Sequence, residues 1–292
     1  MSLKKWKNSG QYFLYRGQHR VFYQSAGAGP VLVLLHGFPT ASWDWHKVWP
    51  SLAAHFRVLA LDFIGFGFSD KPRKYNYSLM DQAYLVEALL TDQGVKAYHL
   101  LAHDYGDTVA QELLARHYER DPYTSQSPRL LSLVLLNGGI FPGIHHPLPI
   151  QRALASRWGG LLTPFLNRGM LRRNFRQIFG PQTQPTEQEI DEFYALLSHQ
   201  QGKYLFHRLI RYMHEREVHE SRWVGAIQRA ELPQRLINGA YDPISGQHVA
   251  DHYRKVVPRP DVVVLEDIGH YPQTEGPEAV VAAILAFHVQ RP

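Results

Sequence analysis

The chain of 292 residues contains no cysteine, no long apolar run and no block of like charge. The absence of cysteine excludes disulfides, thiolate metal ligands and a cysteine nucleophile. No apolar stretch approaches membrane-spanning length, and no apolar segment of signal-peptide length follows the basic N-terminus. A net charge of +5 is modest for this length and does not indicate nucleic acid as a partner. We therefore expect a cytoplasmic protein without a membrane span.

The seventeen histidines give no sign of a metal centre. They are scattered as single residues apart from the pair His145 and His146, and the HExxH spacing of many zinc sites is absent. We expect neither a metal nor an organic cofactor.

Short apolar runs alternate with helix-like segments along most of the chain. Tyr12–Tyr15 and Arg20–Gln24, separated by Gly17, predict an antiparallel hairpin. Six apolar runs of the kind found in buried parallel strands follow: Val31–Leu35, Val58–Leu61, Tyr98–Ala102, Leu131–Leu136, Leu236–Asn238 and Val262–Leu265. Helical patterns are found at Leu79–Asp92, Thr108–His117 and Pro277–His288. This alternation predicts an α/β fold with a mostly parallel, doubly wound sheet.

The strand signal disappears between residues 141 and 219, where breaks at Gly159-Gly160, Gly169 and Gly180-Pro181 separate several helical patterns. We predict a helical cap at 141–219, inserted into a core formed by 1–140 and 220–292. The cap carries ten Lys and Arg against six acidic residues, which is about +4 of the total charge. A solvated face is the simplest explanation, and attraction to an acidic substrate or a membrane is the alternative.

The sequence LLAHDYGDT, residues 100–108, places a charged residue in a tight turn between a strand and a helix. Such a turn presents its central side chain at the carboxyl edge of the sheet, where open α/β folds bind ligands. Ala102 and Gly106 provide the small neighbours that a crowded backbone requires. The same turn with serine is the nucleophile elbow of many hydrolases. Asp104 therefore predicts a carboxylate nucleophile, which forms an alkyl ester that water must later release.

An acid and a histidine follow in the chain order that elbow enzymes use. Asp242 comes just after the predicted strand Leu236–Asn238, and His270 lies in the loop after Val262–Leu265. We predict that His270 activates water and that Asp242 orients it. Asn137, which follows an earlier strand, is neutral and a poorer choice for the acid.

The segment HGFPT, residues 36–40, follows the first predicted parallel strand. The backbone amide of Phe38, together with that of Tyr105 after the nucleophile, predicts a pocket for the oxyanion of ester hydrolysis. We assign His36 a structural role in hydrogen bonding, and Gly37 supplies the backbone freedom that the loop needs.

These motifs resemble those of the α/β-hydrolase fold superfamily, in the branch of epoxide hydrolases and haloalkane dehalogenases. The resemblance rests on HGFPT, LDFIGFGFSDKP, LAHDYGD, the Asp242 turn and GHYPQ, and it covers almost the whole chain. Within that superfamily the chain is also similar to the mesoderm-specific transcript proteins, in LDFIGFGFSDKP, HDYGDTVAQELL, NGGIFP and RWVGA. The resemblance implies a hydrolase core with a helical cap.

The two chemistries of this branch make different demands on the residues. Haloalkane dehalogenases hold the departing halide with a Trp after the nucleophile and an Asn or second Trp elsewhere, but this chain has Tyr105 and Phe38 at the corresponding places. The Arg that follows the nucleophile of fluoroacetate dehalogenases is also missing. Epoxide hydrolases use lid tyrosines as acids, and LIRYMHER resembles the lid helix that carries one of them. This likeness implies that Tyr212 is catalytic, while Tyr194 and Tyr204 do not match the second tyrosine.

The resulting prediction is a hydrolase that converts an apolar epoxide into a vicinal diol, with a small organic substrate and water as its partners. Haloalkane hydrolysis and a non-catalytic ligand-binding role are the alternatives. In the latter case Asp104 is a helix cap and His270 a loop residue. A homodimer is left open.

Overall fold

The computed structural model describes residues 1–121 and 126–289, and eight strands of this part form one sheet. The strands are β1 (Gln11–Tyr15), β2 (His19–Ala26), β3 (Val31–Leu35), β4 (Arg57–Leu61), β5 (Ala97–His103), β6 (Arg129–Leu136), β7 (Gln234–Gly239) and β8 (Val262–Leu265). Their order in the sheet is β1-β2-β4-β3-β5-β6-β7-β8. Each predicted strand is present, and the predicted α/β fold is confirmed.

Strands β3 to β8 run parallel to one another, whereas β1 and β2 join the edge antiparallel. Leu35 at the end of β3 pairs with Ala102, and Ala102 pairs with Leu135 of β6. Because neighbouring parallel strands end at the same edge, the loops after β3, β5, β6, β7 and β8 come together there. These loops carry all the predicted core site residues.

Fourteen α-helices accompany the sheet in the described part of the chain. They are α1 (Leu3–Ser9), α2 (Trp49–Ala53), α3 (Leu79–Asp92), α4 (Tyr105–Glu119), α5 (Pro149–Ala155), α6 (Gly159–Leu162), α7 (Arg168–Ile178), α8 (Glu187–Ser198), α9 (Phe206–Leu209), α10 (Tyr212–Val218), α11 (Glu220–Arg229), α12 (Gln247–Val256), α13 (Pro272–Glu275) and α14 (Pro277–Val289). Short 3₁₀ helices lie at Ser42–Trp45, Thr163–Phe165 and His199–Leu205. Helix α4 starts three residues before the predicted Thr108, directly at the elbow.

Helix α1 was not expected from the sequence, because seven residues are too few to show the apolar periodicity that predicts a helix. Its one buried side chain, Trp6, has its ring centroid 4.9 Å from that of Trp49 and 5.6 Å from that of Trp43. The indole Nε1 of Trp6 donates a hydrogen bond to Ser42 Oγ at 3.3 Å. Tertiary packing of this aromatic cluster therefore stabilises a helix that is too short to be stable alone.

The segment between β6 and β7 is helical, as the sequence suggested. Gly159-Gly160 and Gly169 lie in the first turns of α6 and α7, so these two predicted breaks correspond to helix starts. Helix α11 begins at Glu220 and packs against α4 of the core. The division into a core and a cap stays a prediction, and its core range includes residues 122–125 and 290–292, which lie outside the described residues.

Candidate active site

The turn between β5 and α4 holds Asp104 in a strained backbone conformation, with φ 47° and ψ −100°. Residues other than glycine rarely adopt a positive φ, and such outliers cluster at functional sites. A Cβ atom on Gly106 would lie 2.4 Å from the carbonyl oxygen of Leu35, and one on Gly37 would lie 3.1 Å from Cβ of Asp104. The crowding explains the small neighbours and keeps the carboxylate at the sheet edge.

Asp242 and His270 meet at this edge. Nδ1 of His270 lies 2.7 Å from Oδ2 of Asp242, and both side chains are buried. Oδ1 of Asp242 accepts a hydrogen bond from the amide of Ile244 at 2.8 Å, and Oδ2 accepts one from Oγ of Ser245 at 2.6 Å. Asn137 donates to the same Oδ2 at 3.0 Å, so it supports the acid rather than replacing it.

The pair shifts the pKa values of both partners. Burial alone would raise the pKa of Asp242, but the charge and hydrogen bond of His270 outweigh burial and lower it to about 2. Burial likewise works against a charged His270, yet the charge and hydrogen bond of Asp242 raise the pKa of His270 to about 9, with a further contribution from Asp104. Asp242 is therefore the stable anion that an orienting acid must be.

The loop that carries His270 is fixed through its backbone. Nε2 of His103 donates to the carbonyl oxygen of His270 at 2.7 Å, and the amide of His270 donates to the carbonyl of Ile178 in α7 at 2.8 Å. Burial lowers the pKa of His103 to about 4, so its imidazole is neutral and holds its single proton on Nε2. Both the core and the inserted helices thus position the imidazole of His270.

The loop after β3 provides the first predicted oxyanion donor. The amide of Phe38 donates to Oδ2 of Asp104 at 3.1 Å. Tyr105 is the first residue of α4, where backbone amides have no partner within the helix. Below this loop the buried His36 donates from Nδ1 to the carbonyl of Gly37 at 2.8 Å and accepts at Nε2 from the amide of Phe63 at 3.1 Å.

Helix α10 adds a cation that the sequence did not reveal. The buried Arg216 donates from Nη2 to the carbonyl oxygen of Asp104 at 2.9 Å and from Nε to Oγ1 of Thr108 at 2.7 Å. The same Nη2 lies 3.5 Å from Oδ1 of Asp104. The guanidinium also stacks on the ring of Tyr212, at 4.5 Å from its centroid. Arg216 therefore links the inserted helices to the elbow and faces the candidate nucleophilic oxygen.

A second acid, Asp107, lies near the elbow. Burial raises the pKa of Asp107 well above its ordinary value, the charge of Asp104 adds to the shift, and the charge of Arg216 opposes it. Of the two acids, Asp104 is the one with an oxygen within ion-pair distance of Arg216.

Tyr212 lies close to the elbow, as its predicted role requires. Its ring centroid is 5.0 Å from that of Tyr105 and 5.8 Å from that of Phe38. Burial raises the pKa of Tyr212, and the charge of Asp104 raises it further. The phenol is therefore protonated and able to donate a hydrogen bond.

An apolar cavity of about 90 Å³ lies between the core and the inserted helices. Phe38 and His270 line it on the core side. Most of the rest of its wall is aliphatic or aromatic and includes Leu154, Leu171, Phe175, Ile178 and Phe206. Tyr194 lines the cavity, whereas Asp104 and Tyr212 do not. The cavity thus reaches His270 and the loop after β3, whereas Asp104 is only 5% exposed.

Metal ligands do not cluster in the described chain. Residues 1–121 and 126–289 contain no group of three or more His, Cys, Asp or Glu side chains that could hold a metal ion. The same ranges contain no helix that is long and apolar enough to cross a membrane.

A family model described as alpha/beta hydrolase fold matches residues 30–277. The chain belongs to the α/β-hydrolase fold family. This α/β-hydrolase is 44% identical to the mesoderm-specific transcript protein of Mus musculus over 301 residues, which covers 98% of this chain and 88% of that protein. It is 37% identical to the putative hydrolase LipZ of Mycobacterium tuberculosis, over 99% of this chain and 98% of LipZ. A soluble epoxide hydrolase of Corynebacterium is 34% identical over 132 residues, 45% of this chain and 44% of that enzyme.

Solved structures share the fold of this α/β-hydrolase at lower identity. The epoxide hydrolase CorEH superposes with a TM-score of 0.77 at 22% identity, covering 97% of this chain and 99% of that one. A loop variant of a haloalkane dehalogenase from Bradyrhizobium elkanii gives 0.78 at 22% identity, with the same coverage of 97% and 99%.

Three polar contacts at the candidate site of this α/β-hydrolase escaped the sequence analysis. Arg216 is separated from Asp104 by 112 residues, and no local pattern marks such a contact. His103 was visible as the residue before the nucleophile, but its bond to the His270 backbone depends on the tertiary fold. Asn137 was considered only as a missing acid. All three residues lie at or near the carboxyl ends of the strands. A polar residue at such a place is the one sequence signal that could have indicated these contacts.

Proposed function

We propose that the protein is a hydrolase that opens apolar epoxides through an ester formed on Asp104. The observation that carries the proposal is the hydrogen bond from the Phe38 amide to Oδ2 of Asp104. In an ester made through Oδ1, Oδ2 becomes the carbonyl oxygen and already lies against the donor that hydrolysis requires. Oδ1 is thus the oxygen for attack, and Oδ2 is the oxygen that the Phe38 amide would stabilise.

The first step transfers negative charge from Asp104 to the substrate. Oδ1 forms a bond to one epoxide carbon, the carbon–oxygen bond of the ring breaks, and the ring oxygen becomes an alkoxide that takes up a proton. The protonated phenol of Tyr212 is suited to supply this proton. Arg216, freed from its carboxylate partner when Asp104 is esterified, helps to stabilise the charge as it moves.

The second step removes the ester. His270 takes a proton from water as the water attacks the carbonyl carbon of Asp104. The bond between that carbon and Oδ1 then breaks, and the diol leaves with Oδ1 after taking the proton from His270. The proton of the new carboxyl group restores the phenol of Tyr212. Esterification neutralises Asp104, so one of the charges that raise the pKa of His270 disappears. The lower pKa increases the fraction of neutral imidazole, which is the form that accepts a proton, at the step that needs a base.

The lining of the cavity supports an oxygen leaving group over a halide. No tryptophan is among the described residues that line the cavity, so no indole N–H faces it. The phenol of Tyr194 and the nearby Tyr212 are donors of the kind that an alkoxide needs. The partial match to a soluble epoxide hydrolase points the same way.

The test compares three proteins with styrene oxide and 1-bromobutane as substrates. The wild type should form a diol without releasing halide. His270→Gln should accumulate a covalent adduct, visible as an increase in intact mass, because only the second step needs the base. Asp104→Asn should form no adduct and no product. Halide release without diol would favour the haloalkane alternative, and wild-type turnover with an unmodified His270→Gln variant would contradict the ester mechanism.

A further inference from the structure

Three bulky apolar side chains project from one short stretch of the inserted helices. Trp158, Leu161 and Phe165 are 59%, 66% and 70% exposed. They follow one another at intervals of three and four residues: Trp158 directly precedes α6, Leu161 lies in it, and Phe165 ends the 3₁₀ turn after it. Exposed apolar residues are common singly, but a contiguous group marks an interaction surface. We call these three residues the apolar patch.

The chain around the apolar patch is rich in arginine and free of acid. Residues 122–186 contain no Asp or Glu but seven arginines: Arg129, Arg152, Arg157, Arg168, Arg172, Arg173 and Arg176. Of these, Arg152, Arg157 and Arg173 are exposed and make no ion pair with a described residue. The guanidinium of Arg157 lies 4.8 Å from the ring centroid of Trp158. Arg157 thus places an unpaired positive charge directly beside Trp158.

The apolar patch adjoins the cavity of the candidate active site. Leu166, the residue after Phe165, lines the cavity, and so does Lys203. Nζ of Lys203 donates to the carbonyl oxygens of Leu166 at 3.0 Å and Pro164 at 3.4 Å, which ties the two regions together. The apolar patch and the wall of the cavity are therefore adjacent along the chain, because Phe165 belongs to the patch and Leu166 to the wall.

The geometry points to the apolar patch as a docking site for an anionic lipid surface, from which apolar substrates pass into the cavity. Aromatic and aliphatic side chains insert at the boundary of headgroups and acyl chains, while flanking arginines attract anionic headgroups. A symmetric dimer through the same face is disfavoured, because an isologous contact would bring the unpaired Arg157 of one copy close to that of the other. This surface attachment requires no membrane-spanning helix.

The test measures sedimentation of the purified protein with vesicles of phosphatidylcholine alone or mixed with phosphatidylglycerol. We expect binding to the mixed vesicles, weaker binding to phosphatidylcholine and loss of binding at high salt. Replacing Trp158, Leu161 and Phe165 together with Ala should weaken partitioning by about tenfold or more, because the inserted apolar area is lost. The matched control is Leu14→Ala with Tyr84→Ala, two residues that are each 54% exposed on the core.

A second set of variants tests the charge. Arg152→Glu, Arg157→Glu and Arg173→Glu together should abolish the preference for phosphatidylglycerol. Replacing three exposed lysines of the core with Glu should leave the preference for phosphatidylglycerol largely intact. These lysines are Lys4, Lys5 and Lys255. If the alanine variant does not fold, quenching of wild-type fluorescence by brominated lipid, compared with Trp158→Phe, reports insertion directly.

Three outcomes would overturn the proposal: no binding of the wild type to either vesicle, binding that the alanine variant retains in full, and a wild-type dimer that this variant converts to a monomer. The last would identify the apolar patch as a contact between copies of the chain. Because vesicle binding is measured without substrate, its failure would leave the proposed hydrolase activity untouched.

Discussion

Replacing Asp242 with Asn should lower the pKa of His270 from about 9 toward its ordinary value of 6.5. The substitution removes the charge 2.7 Å from Nδ1, while the burial that disfavours an imidazolium stays. One pKa unit corresponds to 1.36 kcal/mol, so the rise from 6.5 to about 9 represents about 3 kcal/mol of preference for the protonated form.

The same preference appears in the pH dependence of stability. Between pH 6.5 and 9 the folded wild type holds a proton on His270 that the unfolded chain has released, so its free energy of unfolding falls as the pH rises. The contribution is complete below pH 6.5 and is lost through pH 9. The Asp242→Asn variant lacks this contribution of the His270 proton. The wild type therefore loses its advantage in free energy of unfolding over the variant, by about 3 kcal/mol, as the pH rises from 6.5 to 9.

The assay is a titration of the histidine Cε1–H resonance of His270 in both proteins, with urea unfolding at pH 6.5 and 9. Ser245→Ala is the control, because it removes one hydrogen bond to Oδ2 of Asp242 but keeps the charge. It should shift the titration less than Asp242→Asn does. A variant that still titrates near 9, or an unchanged stability difference between the two pH values, would refute the assignment of Asp242 as the partner that charges His270.

Substitutions at three further positions test contacts that hold the site and the fold. Arg216→Met should lower the free energy of unfolding, measured in urea, by about 3–5 kcal/mol, because it leaves the buried carboxylate of Asp104 unpaired. Arg216→Lys keeps a positive charge and should lower it by less. Equal losses in the two variants would contradict this reasoning. Gly106→Ala should cost about 1–3 kcal/mol and reduce turnover, since the new Cβ must displace the Leu35 carbonyl 2.4 Å away; a fully active, equally stable variant would show that the elbow is not crowded. Trp6→Ala should cost about 3–5 kcal/mol in thermal unfolding, whereas an unchanged melting temperature would mean that α1 is not part of the core.

The sheet could be predicted because its signals are local. Runs such as Val31–Leu35 are apolar throughout, as strands buried on both faces must be, and each reappears as a strand of the structure. The carboxyl ends of such strands converge by topology, so the meeting of Asp242 and His270 followed from strand order alone.

The inserted helices were less predictable because their contacts with the core are non-local. The charge balance of residues 141–219 was visible in the sequence, but the burial of Arg216 against the elbow was not. Tyr212 was placed near the nucleophile by resemblance, and it does lie beside Tyr105, yet it stands outside the cavity lining. Its role as an acid stays a prediction, because helix packing rather than a sequence pattern decides where its hydroxyl points.

A single turnover in heavy-oxygen water tests the central claim most directly. With the enzyme in excess over styrene oxide, the diol should carry an ordinary oxygen taken from the carboxylate, and the peptide that contains Asp104 should gain the heavy oxygen of water. Heavy oxygen found in the diol alone, with none in that peptide, would mean that water attacks the substrate directly and that no ester forms on Asp104.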